Sequence, residues 1–158
     1  MDRGLDVAVP HGLKRSPRWA SVRRAFTAKN PACVACNPGD KYPVQAHHIF
    51  PFHLCILLGR PDLELDSRNL ITLCEDPTPG SACPDHHMMI GHLGFFKSTN
   101  PSVVPDARKT FHGLSKSDIK GLAVYRARMA TRIKPWSKLT VAEKKSIREE
   151  MDRMFPKG

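Results

Sequence analysis

Ala46-His47-His48-Ile49-Phe50-Pro51 sets two imidazoles side by side in an apolar run that a proline closes. The run 44–49 reads as a β-strand despite its polar centre. Successive side chains of a strand point to opposite faces, so His47 and His48 serve different surroundings. One can hold a metal while the other faces a water or a substrate.

Upstream, Ser16-Pro17 opens a helix over 17–29, with Ser as the cap and Pro in the first turn. Trp19, Val22 and Phe26 form its inward stripe. Arg18, Arg23, Arg24 and Lys29 lie on its other face and are candidate phosphate contacts. Asn30-Pro31 ends the helix, and a turn-rich loop with Cys33 and Cys36 follows. Downstream, 52–58 is apolar enough for a short helix, which Gly59-Arg60-Pro61 breaks. Leu70–Cys74 reads as a second strand, entered through Asn69. The loop 75–84 leads to Asp85, the expected N-cap of a helix that begins with His86-His87. Two basic amphipathic helices are expected over 115–132 and 140–155, the second opened by the capping box Thr140-x-x-Glu143. Strands and helices in this order give an α+β class, with no internal repeat and no low-complexity tract.

Two metal-capable clusters interleave along this segment. Zinc takes four ligands in a tetrahedron, and Cys33-x-x-Cys36 at a tight turn supplies two of them. Cys74 supplies a third. The fourth is either Cys83 or His86, which stand as Cys-x-x-His. This metal is expected to be structural. The second cluster is built on the adjacent His47-His48 and the later pair His86-His87. Cys55, in an apolar run, reads as a small core residue.

The chain has 158 residues, 41% of them hydrophobic, with 14 prolines and 10 glycines, which predicts one modest core with long loops. Small loop-rich cores commonly depend on a metal. A net charge of +10 points to a polyanionic partner, of which nucleic acid is the usual one. The first ten residues carry Asp2, Arg3 and Asp6, so no signal peptide is expected, nor any membrane span. A reducing cytoplasm follows, where Cys-x-x-Cys reads as metal ligation rather than a disulfide.

The set Cys33-x-x-Cys36, His47-His48-Ile49-x-Pro51, Asn69-Leu70-Ile71-Thr72-Leu73-Cys74 and His87 resembles the HNH endonucleases. The likeness runs over 16–105 and is strongest to phage and prophage members with a zinc knuckle. The resemblance implies a small ββα-metal (His-Me finger) core with N- and C-terminal helices around it. A flexible basic arm (1–15), a nuclease domain (16–105) and a basic helical C-terminal extension (106–158) are then expected. It also implies roles. His48 is the general base, His47 and His87 are ligands of a catalytic divalent metal, and Asn69 hydrogen-bonds across the loop to orient the base. His92 is a further candidate ligand of lower rank. Lying five residues after His87, it points elsewhere on an ideal α-helix.

The implied reaction is metal-dependent hydrolysis of DNA phosphodiester bonds, leaving 5′-phosphate and 3′-hydroxyl ends. Structural Zn2+ and a catalytic Mn2+, Co2+, Ni2+ or Mg2+ are the expected cofactors. Double-stranded DNA is the expected partner, with a phage terminase large subunit and portal as further candidates. The competing reading is a zinc-knuckle DNA-binding or phage packaging accessory protein without catalysis, which leaves His48 and Asn69 without a role.

Overall fold

The computed structural model describes residues 14–36, 39–92, 100, 102–110 and 138–157. The expected helix over 115–132 and residues 1–13 of the arm lie outside them. The architecture is α+β: helices packed around a two-stranded antiparallel sheet.

Helix α1 spans Trp19–Lys29. Ser16, the expected cap, accepts the Arg18 N–H on its Oγ at 3.1 Å, but helical residues begin two positions later than Pro17, and Arg18 is the N-cap, without a side-chain cap bond. Trp19 is buried, and Val22 and Phe26 pack with it against Ala46 and Leu70 of the sheet. Asn30 ends the helix by returning its backbone N–H and its side-chain amide to the Phe26 carbonyl.

Strand β1, Val44–His48, pairs with β2, Leu70–Cys74, in the register Val44↔Cys74 through His48↔Leu70. Ile49 leaves the strand but still donates its N–H to the Asn69 carbonyl at 2.8 Å. All of β2 is buried. The cysteine loop docks along it, Val34 N–H to the Thr72 carbonyl and the Thr72 hydroxyl to the Asn30 carbonyl.

Helix α2, Phe52–Leu57, stops at Gly59, whose φ of +81° favours glycine. The Arg60 N–H then closes back on the Cys55 carbonyl. After β2 the chain reaches a π-helical turn, His87–Gly91, and later a short helix α3, Val103–Pro105.

Helix α4, Val141–Met154, carries both bonds of the capping box. It belongs to the core: Met151 and Phe155 are buried in one cluster with Phe50, Leu54, Leu63, Leu73, Ile90 and Val103. Ile147, Met151 and Met154 recur at helical spacing, an apolar stripe set among basic and acidic neighbours. Arg60, fully buried, locks the helix down. It bonds Asp152 at 2.8 Å, the Phe155 carbonyl at 2.7 Å and Asp62 through two nitrogens.

Candidate functional site

The thiolate cluster is set by three chain segments: the loop at 33–36, the end of β2 and the entry to the π-helical turn. His86 Nδ1 lies 3.5 Å from Sγ of each of Cys33, Cys36 and Cys74, and Cys36 Sγ is 3.8 Å from Cys74 Sγ. A tetrahedral zinc with Zn–S near 2.3 Å and Zn–N near 2.05 Å puts sulfurs about 3.8 Å apart and nitrogen about 3.5 Å from sulfur. The four ligand atoms thus fit a structural metal such as zinc.

Of the two candidates for the fourth position, His86 is the one brought in. Cys83 is buried against Cys36 and Cys74 but is not among the four converging groups. Asp85, expected as the helix N-cap, instead takes φ +54° directly before His86, which is the N-cap; the left-handed conformation is one that Asp tolerates better than most residues. The donor chemistry agrees. The Cys74 thiol, hydrogen-bonding to Cys33, pulls the Cys33 thiol down to about 3. Burial and then the Cys33 charge push Cys36 up to about 12. Cys74 is also raised, by its bond to Cys33 and by burial. The packed thiols hold one negative charge readily, and further ionisation calls for a cation.

The second cluster gathers His47 from β1 with His87 and His92 from the two ends of the π-helical turn. Their ring centroids form a near-equilateral triangle of 5.1, 4.9 and 5.0 Å sides, with all rings edge-on to one another. Their ligand nitrogens lie within 4.8 Å of one another. His92, ranked low on α-helical spacing, is a full member. Residues five apart sit about 140° apart around an α-helix, but they come close together in a π-helical turn with its i→i+5 spacing. Gly91 makes the approach feasible: a Cβ there would lie 2.8 Å from His47 Cε1 and 3.0 Å from Nδ1. His47 Nε2 is buried and has no hydrogen-bond partner among the described residues. Burial, then the neighbouring His92 and His87, hold the His47 imidazole well below its usual range, as a neutral ligand requires.

His48 faces the other way, stacked on Trp19 at 4.4 Å between ring centroids. Its Nε2 is 2.7 Å from the Glu64 carbonyl, which can only accept. The proton is therefore on Nε2, and Nδ1 carries the lone pair. Asn69 is fully buried and fixes this arrangement. Its Oδ1 accepts the Phe50 N–H at 2.9 Å, and its Nδ2 donates to the Phe50 and Leu63 carbonyls, both at 3.0 Å. It thus ties the residues after His48 to the turn that presents Glu64.

Arg24 and Lys29 are exposed on α1, Arg23 is half-buried there, and Arg18 is exposed at its N-cap; the same helix supplies Trp19. Two contacts escape sequence reasoning. Glu75 Oε2 lies 2.5 Å from His87 Nδ1, and its only sequence signal is an acidic residue directly after a ligand cysteine. Arg15 sets its guanidinium over the rings of Trp19 and Phe52, at 4.7 and 4.6 Å. Among the described residues no helix is long and apolar enough to cross a membrane. In comparisons with known proteins, no family model, no curated protein and no solved structure matches this chain.

Proposed function

We propose that this chain is a metal-dependent DNA endonuclease of the HNH type. In this reading β1, β2 and the π-helical turn form a ββα-metal unit and the Cys3His cluster is its zinc knuckle. The observation that carries the reading is the split at His47-His48: one imidazole joins two others around a common point, while its neighbour has its tautomer set by a backbone carbonyl. A DNA-binding knuckle needs neither feature.

His47, His87 and His92 would hold a divalent metal, which supplies Lewis-acid stabilisation of charge on the phosphate and the leaving oxygen. His48 Nδ1 takes the proton from the attacking water as its oxygen bonds to phosphorus in line with the departing 3′ oxygen. Asn69 holds the Leu63 carbonyl, and through that turn the adjacent Glu64 carbonyl and the imidazole bonded to it, at a fixed angle. The basic side chains of α1 neutralise flanking phosphates of the duplex without reading bases.

The test is supercoiled plasmid incubated with the purified full chain and a series of divalent metals, beside His48→Ala. Relaxed or linear product is expected from the wild type. The variant should be slower by about 10²–10⁴-fold, with its zinc content and DNA affinity retained. DNA retardation without cleavage under every metal would put the non-catalytic binding protein in its place.

A further inference from the structure

Two dipeptides join the two clusters. Cys74-Glu75 leaves β2 with Cys74 in the thiolate cluster and Glu75 on His87. His86-His87 opens the π-helical turn with His86 in the thiolate cluster and His87 in the histidine trio. Each dipeptide sends its first residue to one centre and its second to the other. Glu75 is buried, and its backbone N–H donates to the Pro43 carbonyl at 2.9 Å. The His86 N–H in turn donates to Cys74 Sγ at 3.4 Å. The carboxylate and the imidazole that it meets therefore stand on backbone that the thiolate cluster already fixes.

Resting on the reading of the trio as a metal centre, we propose that Glu75 is a positioning residue that holds His87 in the ligating tautomer. A carboxylate oxygen accepts and does not donate, so the His87 proton is placed on Nδ1. Nε2 is then the nitrogen with the lone pair that a metal needs. A free imidazole favours the opposite tautomer, with the proton on Nε2. The carboxylate also raises the donor strength of the ring it touches.

The experiment uses the full chain with zinc in the thiolate cluster, as wild type, Glu75→Gln and Glu75→Ala, and Co2+ as the probe of the trio. A long-range 1H–15N spectrum reads the His87 tautomer before Co2+ is added, and visible absorbance reads its binding. The wild type is expected to show the proton on Nδ1. Both variants should shift toward Nε2–H, weaken Co2+ binding by about 10–100-fold, and keep their zinc and melting temperature. A wild-type His87 protonated on Nε2, or unchanged Co2+ affinity in both variants, overturns the role of Glu75 alone. Variants that lose zinc or unfold would make Glu75 a structural residue and also overturn it. Failure of wild type to bind Co2+ at the trio would sink the metal-centre reading itself.

Discussion

Gly91 illustrates how single atoms decide the histidine trio. The His47 ring occupies the space a side chain at position 91 would need, with three ring atoms within 3.1 Å of the missing Cβ. The ring is itself buried and faces His87 and His92, so it has little room to retreat. Gly91→Ala is therefore expected to push His47 out of register, at an overpacking cost of about 1–3 kcal/mol. Divalent-metal binding at the trio should weaken at least about tenfold, the effect expected of a displaced ligand, while zinc in the thiolate cluster is retained. Calorimetric titration with Co2+, beside elemental analysis for zinc, checks both halves. Wild-type Co2+ affinity in this variant would mean that His47 is not a ligand. His48, the adjacent residue, should be insensitive to the change, because its ring lies on the other face against Trp19.

At the scale of elements, what is legible in the sequence is what depends on local pattern. β2 coincides with its expected span, β1 falls one residue short at its end, and Thr140 and Glu143 form the capping box that their spacing announces. The fourth thiolate-site ligand and the membership of His92 are not legible. The first lies next to a left-handed φ at Asp85, the second just past a π-helical turn, and neither feature leaves a mark in residue periodicity. The docking of α4 is partly hidden too, since its apolar stripe is diluted by charge and its anchor, Arg60, comes from a distant loop. That anchor yields a pH prediction. The Arg60 guanidinium holds the Asp62 and Asp152 carboxyls below their ordinary value of 3.8. A carboxyl whose folded value is depressed contributes stability above its unfolded value and loses it as pH falls through the folded one. Stability should therefore decline as pH drops below about 3.8, and Asp62→Asn with Asp152→Asn should flatten that decline. Both carboxylates are substantially solvent-exposed, so the effect is modest. Thermal melts across this range decide it, and equal slopes in both proteins would assign the acid sensitivity elsewhere.

For the whole molecule, the two clusters are interleaved in sequence and joined through shared dipeptides, so they differ in what they control. The thiolate cluster ties the cysteine loop, the end of β2 and the π-helical turn together. If that cluster holds a structural zinc, removing it, by chelation or by Cys33→Ser, is expected to unfold the chain, because a structural site contributes its binding free energy to folding. A far-ultraviolet circular dichroism trace that survives complete zinc loss would refute that. The histidine trio could hold a metal ion of its own. Its three groups are all imidazoles, one of them held neutral by burial. Imidazole suits first-row transition metals, whereas magnesium prefers oxygen ligands and keeps its waters. If the chain cleaves DNA as proposed, manganese, cobalt or nickel should support faster cleavage than magnesium at equal concentration. His47→Asp, which puts a hard carboxylate on β1, should move the preference toward magnesium. Plasmid cleavage across a metal series at fixed pH, for wild type and His47→Asp, separates the outcomes. Magnesium outperforming all three transition metals in the wild type would show that oxygen ligands, not the trio, govern the reacting metal.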